Sequence, residues 1–222
     1  MRYPIVLFDL DGTLTNPGLG ITNSVMYSLE KYGIEGQSRE SLYRFIGPPL
    51  HESYEKFYSF SKEQAMQAVS YYREYYEEKG MFENEVYPGI KELLCGLTKQ
   101  GVLCLVATSK PEIYAKKILD YYKLRTYFHY IAGANMDGTR TDKAEVIAYA
   151  LKQIPAEYNN KKILMVGDRS HDIIGAKKNG IDSAGVLFGY GSREELEEAG
   201  ADFVADSVEA VKNIVFSDNA RN

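Results

Sequence analysis

Two kinds of hydrophobic pattern alternate along this chain. Residues 5–8, 102–107 and 163–166 are short, continuous apolar runs rich in branched and aromatic side chains. Runs with no polar alternation predict strands buried on both faces, as in a parallel sheet. Between and after them, helices are predicted at 90–100 (ended by Gly101), 112–122, 143–152, a stretch reaching about Asn179, 192–199 and 207–215. Shorter strands are predicted near 130–132, ending near Val186, and at 203–205. Strands alternating with helices require βα crossovers, so the expected fold is α/β with a doubly wound, Rossmann-like parallel sheet. Residues 217–222 read as a frayed tail.

One segment breaks the alternation. Residues 16–84 carry no strand pattern. Ile21, Val25, Tyr27, Leu29 and Tyr32 predict a loosely amphipathic helix ended by Gly33. A second helical piece at 38–46 is stopped by Gly47-Pro48-Pro49, and helices follow at 50–58 and 61–79. Tyr54, Phe57, Tyr58, Phe60, Tyr71, Tyr72, Tyr75 and Tyr76 load this segment with aromatics. At helical spacing they predict packing between helices, with a nucleobase-stacking surface as the alternative. The expected organisation is therefore a core of residues 1–15 and 85–222 with a helical domain, 16–84, inserted after the first strand.

Composition narrows the class. A chain of 222 residues, 45% hydrophobic and 26% charged, is that of an ordinary globular protein with a sizeable core. A net charge of -5 argues against a nucleic-acid polymer or an anionic membrane as partner, yet leaves room for a local basic pocket that takes phosphate. No run approaches the length of a membrane span, and the first strand begins too early for a secretory leader, so a cytoplasmic location is expected. Cys95 and Cys104 sit among aliphatics and are expected to be buried free thiols.

The chemistry is expected where strands end. In an open parallel sheet the carboxyl ends of the strands face the ligand crevice. Asp9 ends the first strand, Asp11 follows two residues on, and Gly12 lets the backbone turn away. Two carboxylates this close repel unless a cation stands between them, and a hard divalent ion such as Mg²⁺ suits oxygen ligands. Taken alone, Asp-x-Asp-Gly is equally a strand-ending turn. Thr108-Ser109, after the strand at 102–107, offers a hydroxyl and an N–H for phosphate oxygens at a helix entrance, and is also a plain helix start. Lys143 opens a helix, where its charge opposes the helix dipole and suits a nearby anion; by itself it reads as a surface lysine. Asp168 ends the strand at 163–166, and Asp172 comes four residues later on the first helical turn. As isolated residues these two read as an N-cap and a helix-start charge.

Together, Asp9-Leu10-Asp11-Gly12-Thr13, Thr108-Ser109, Lys143 and Gly167-Asp168-Arg169-Ser170-His171-Asp172 resemble the haloacid dehalogenase superfamily, in its phosphoglycolate-phosphatase-like branch. The match departs at Ala144, where close relatives often carry proline after the lysine. The resemblance implies a Mg²⁺-dependent phosphomonoesterase acting through an aspartyl phosphate on a small organic phosphate, phosphoglycolate-like or a nucleoside monophosphate. It implies Asp9 as nucleophile and Asp11 as acid and base. It also implies Thr108, Ser109, Lys143 and Gly12 around the phosphoryl group, and metal held by Asp9, the Asp11 backbone carbonyl, Asp168 and Asp172. Residues 16–84 fall where the superfamily places its mobile cap; Arg44 and His51, beside Gly47-Pro48-Pro49, are its candidate substrate contacts. A phosphomutase or phosphotransferase would use the same residues, and a non-catalytic phosphometabolite-binding module is the reading from outside enzymology. The assembly is expected to be a monomer or homodimer.

Overall fold

The computed structural model describes residues 1–217; the expected tail, beyond Ser217, lies outside the described residues. The chain divides into two units, Met1–Thr15 with Val86–Asn222, and Asn16–Glu85.

The first unit is built on β1 (Ile5–Phe8), whose residues are all at most 1% exposed. After it come β2 (Thr15–Asn16), α1 (Gly18–Glu30), α2 (Arg39–Leu42), α3 (Leu50–Tyr58), α4 (Lys62–Tyr75) and β3 (Glu85–Val86). The alternating run follows: α5 (Ile90–Lys99), β4 (Leu103–Pro111), α6 (Glu112–Tyr121), β5 (Tyr130–Ala134), α7 (Lys143–Leu151) and β6 (Ile163–Gly167). The chain then forms α8 (Ser170–Lys178), β7 (Asp182–Val186), α9 (Arg193–Glu198), β8 (Phe203–Ala205) and α10 (Val208–Phe216). The main sheet has the order β5-β4-β1-β6-β7-β8, and all five of its strand pairings are parallel. The order reverses on either side of β1, so the chain winds both ways from its first strand, and that switch point is where open parallel sheets place their ligand crevice.

Both faces of the sheet are dry, as the unbroken apolar runs require. Ile5, Leu7, Leu105 and Met165 point to one side, where Val146, Ile147 and Ala150 of α7 and Ala176 of α8 close over them. Val6, Phe8, Cys104, Val106, Leu164 and Val166 have the opposite parity and are buried too. On the flanks, α5 packs on β4, and α10 packs on α5 and β8.

The second unit holds α1–α4, with a 3₁₀ turn at Tyr43–Phe45 and a π turn at Tyr76–Gly80. The piece predicted at 38–46 is thus one short α-turn and one 3₁₀ turn, and the helix predicted at 61–79 stays regular only to Tyr75. A capping box starts α4: Gln64 N–H donates to Ser61 Oγ at 3.2 Å, and Ser61 N–H donates to Gln64 Oε1 at 2.9 Å. The aromatics pack on one another. Tyr54 lies 5.1 Å from Phe45 and stacks on Phe60 at 5.9 Å, while Tyr72 stacks on Tyr76 at 5.2 Å. Phe45, Tyr54 and Tyr76 are 2% exposed or less, which makes these rings core. Among the described residues no helix is long and apolar enough to cross a membrane.

The cysteines differ. Both are free thiols, but Cys95 is only half-buried, on α5, whereas Cys104 is buried in β4, where burial pushes its thiol up to about 12. Native protein at pH 8 should therefore alkylate at Cys95 and be slow at Cys104, as peptide mapping after a timed iodoacetamide pulse would show; equal labelling would contradict this packing. Cys104 holds its proton in the folded state to higher pH than in the unfolded state, so its contribution is intact below the ordinary thiol range and is lost as pH rises from there toward 12. Leu7→Ala should lower stability by ~2–5 kcal/mol in a urea titration, because the rigid sheet cannot collapse into the space left.

Candidate active site

Strand register builds the site. Phe8 lies opposite Val106 on β4 and opposite Val166 on β6, so Asp9 emerges from β1 level with Ala107 and Gly167, which are still paired in the sheet. Asp9 N–H still donates to Val166 O at 2.9 Å, which holds the first residue beyond β1 against β6. One residue past Gly167 comes Asp168, and Asp172 follows at the start of α8. Carboxylate oxygens of Asp9, Asp168 and Asp172 all lie within 4.8 Å of one another, and all three residues are buried.

Lys143 reaches this cluster from the first position of α7. Its ammonium lies 2.9 Å from Asp9 Oδ1 and 2.8 Å from Asp172 Oδ1, and donates to Ala107 O at 3.3 Å. Burial works against its charge, but the Asp172 and Asp9 carboxylates outweigh burial and hold its proton more tightly than in water. Asp168 is fixed from two sides. Tyr190 N–H donates to its Oδ2 at 2.8 Å, and the Thr13 hydroxyl donates to its Oδ1 at 3.3 Å. Gly12 lets the Asp168 carboxylate lie this close to the turn after β1: φ is +80°, and a Cβ there would sit 2.1 Å from Asp168 Oδ2.

Three carboxylates lie buried together and the Lys143 ammonium pairs with two of them, Asp9 and Asp172, so negative charge is in excess. Burial pushes Asp168 well above the usual carboxylate range, with the Asp172 and Asp9 charges adding to it. Burial also raises Asp172 to about 6 despite the opposing pull of Lys143. An all-oxygen, acid-rich, buried donor set is what a hard divalent cation such as Mg²⁺ requires, and the residues present fit one.

Around this cluster the predicted residues divide. Thr108 is buried, and its Oγ1 accepts from Lys110 N–H at 3.3 Å. Ser109 is half-buried beside it. Neither stands at a helix entrance as expected: β4 runs on to Pro111 because its pairing with β5 shifts register after Thr108 and resumes at Pro111, and α6 begins only at Glu112. Asp11 does not join the carboxylate cluster; its Oδ2 accepts a hydrogen bond from the Lys110 ammonium. Arg44 and His51 belong to the helical unit. The Arg44 guanidinium stacks 4.2 Å from the Phe57 ring centre, and His51 lies 3.9 Å from Glu52 with a side chain 41% exposed.

The sequence alone assigns no role to Lys110 or to the Tyr190 N–H, and carries Thr13 only as the close of the Asp-x-Asp-Gly-Thr run. Their signals were present: a lysine directly behind Thr-Ser, a threonine closing the Asp-x-Asp-Gly run, and Gly189 and Gly191 flanking Tyr190 just past a strand end.

Residues 6–186 match the family described as haloacid dehalogenase-like hydrolase. The chain belongs to that family. A Pseudomonas aeruginosa protein named 5'-nucleotidase is 44% identical to this hydrolase over 198 residues, covering 88% of each chain. A crystal structure of a predicted phosphatase from Clostridium acetobutylicum superposes with a TM-score of 0.90 at 46% identity, over 97% of this chain and 99% of that one. Tyrosine-protein kinase PtkA of Mycobacterium tuberculosis is 38% identical over 195 residues, which cover 87% of this chain and 65% of that protein. Within its family this hydrolase is a phosphatase.

The cluster's charge dictates a pH dependence of stability. A carboxyl whose folded value is raised favours folding while protonated, so in EDTA the contribution of Asp172 is intact below the ordinary carboxylate range and is lost as pH rises through about 6. Urea titrations between pH 4 and 7.5 should show a decline on the order of 2 kcal/mol that flattens in Asp172→Asn. Mg²⁺ should offset the decline at the upper end of that range, seen as a rise in Tm that Asp168→Asn reduces.

Proposed function

We propose that this phosphatase is a Mg²⁺-dependent phosphomonoesterase acting on small organic phosphates, with nucleoside 5'-monophosphates as the first substrate class. The observation that carries the reading is the buried convergence of Asp9, Asp168, Asp172 and Lys143 at the ends of adjacent parallel strands. The substrate class is supported by the relative named 5'-nucleotidase, which is alike over nearly the whole chain.

A phosphate ester resists hydrolysis because an anionic nucleophile must approach an anionic phosphorus, so cationic charge and positioning are what the protein supplies. In this reading an oxygen of Asp9 attacks phosphorus and the bond to the leaving oxygen breaks, while that oxygen takes a proton from Asp11. Water then gives a proton to Asp11 and attacks the aspartyl phosphate, restoring Asp9 and releasing inorganic phosphate. Lys143, the Thr108 hydroxyl, the Ser109 N–H and the turn at Gly12 hold the phosphoryl oxygens. Asp9, the Asp11 carbonyl, Asp168 and Asp172 would hold Mg²⁺, which supplies Lewis-acid neutralisation of charge on the transferring group. Residues 16–84 are assigned as the cap that restricts leaving groups to small molecules, with Arg44 and His51 as its candidate contacts.

The relative named a tyrosine-protein kinase favours a second reading, transfer to a hydroxyl in place of water on the same Asp9 and Asp11. One assay separates the two: phosphate release from nucleoside monophosphates, phosphoglycolate and sugar phosphates, with Mg²⁺ or EDTA. Release should require Mg²⁺ and fall about 10³-fold or more in Asp9→Asn. A phosphorylated acceptor with no free phosphate would establish the transferase instead, and turnover by Asp9→Asn at the parent rate would exclude Asp9 as nucleophile.

A further inference from the structure

Lys110 is a buried cation for which the chemistry above has no part. An ammonium out of water is costly unless something nearby uses its charge, and the fold goes to some length to place this one. In β4, Thr108 and Lys110 are two residues apart, and the register with β5 shifts between Thr108 and Pro111. Such irregularities next to active sites re-aim a side chain. Gly133 on β5 accommodates the shift, since a Cβ there would sit 2.7 Å from the Lys110 carbonyl oxygen. The Lys110 N–H is held on Thr108 Oγ1, and its ammonium reaches across to Asp11 Oδ2 with a side chain only 5% exposed.

The two oxygens of Asp11 are therefore unequal. Oδ2 is engaged by Lys110, whereas Oδ1 is buried with no hydrogen-bond partner. A carboxylate is free to rotate about its last torsion unless something holds one oxygen, and a proton donor must present a particular oxygen to its acceptor. We propose that Lys110 is the positioning residue of the acid–base step: its ammonium holds Asp11 by Oδ2 so that Oδ1 meets the leaving oxygen. This rests on the assignment of Asp11 as acid and base. The proton leaves Oδ1 for the ester oxygen as the phosphorus–oxygen bond breaks, and water returns a proton to Oδ1 in the second step. Lys110 remains an ammonium throughout and transfers nothing.

Leaving groups of different basicity test this. The quantity to measure is kcat/KM, which reports phosphoryl transfer to Asp9, for the best alkyl phosphomonoester of the panel and for p-nitrophenyl phosphate, whose leaving group needs no proton. Lys110→Met should slow the alkyl ester about 10–100-fold and p-nitrophenyl phosphate less than about 3-fold, with Lys110→Arg recovering part of the loss. Equal slowing of both substrates would make Lys110 a merely structural residue and overturn the proposal. Asp11→Asn run alongside tells the two claims apart. If it fails to discriminate between the substrates, the acid–base reading of Asp11 falls; if it discriminates and Lys110→Met does not, only the positioning role falls. Should Lys110→Met not fold, the double variant Asp11→Asn/Lys110→Met leaves neither charge unpaired. It should be no slower on the alkyl ester than Asp11→Asn alone, and a further loss would overturn the proposal.

Discussion

Like charges forced together out of water are the constraint on which the core unit depends. Asp9, Asp168 and Asp172 lie within 4.8 Å of one another and are buried. Mutual repulsion and desolvation would expel such a group from an ordinary core, and both show in the raised Asp168 and Asp172. What keeps the cluster in place is rigid backbone, the Lys143 ammonium between Asp9 and Asp172, and the Tyr190 N–H and Thr13 hydroxyl on Asp168. A site whose groups cost stability as they stand is suited to bind a cation and an anionic phosphoryl group, because each ligand relieves what the residues alone cannot.

The sheet supplies the rigidity. Because β1 is hydrogen-bonded on both sides and the registers of β4 and β6 are matched to it, Asp9 comes level with Ala107 and Gly167 without any loop having to find the place. The dry packing of Leu7, Leu105 and Met165 beneath α7 then sets the height of Lys143, since the helix carrying that lysine closes the same hydrophobic layer. Core packing and site geometry are thus one structure: a loss of packing under α7 is also a displacement of the charge that holds Asp9 and Asp172 together.

Most of this was legible in the chain because it rests on short-range patterns. The apolar run Ile5-Val6-Leu7-Phe8 announces a doubly covered strand, and residues placed directly after such runs, Asp9 and Asp168, inherit their position from it. The parts that were not legible depend on pairing between distant segments. Nothing local in Thr108-Ser109-Lys110-Pro111 says that β4 continues through it, because Lys-Pro reads as a helix entrance; the strand persists only because β5 offers Ala134 opposite Pro111 after the register shift. The Tyr190 N–H was invisible for a related reason: a backbone donor is available anywhere, and only the path of the loop after β7 brings this one to Asp168. In the helical unit the aromatic spacing implies the core that is found, while the turns at Tyr43–Phe45 and Tyr76–Gly80 interrupt stretches that the spacing alone reads as continuous helix.

The extension of β4 through Pro111 sets the two carboxylates after β1 apart. With the strand extended, each has its own ammonium: Lys143 on Asp9, beside Asp172, and Lys110 on Asp11, away from the carboxylate cluster. Two acids two residues apart are thereby placed in unlike environments, one among three carboxylates suited to a cation and one against a lone ammonium with an oxygen to spare. Separate roles for like side chains require such an asymmetry, and here it is written into the register of an edge strand against its neighbour.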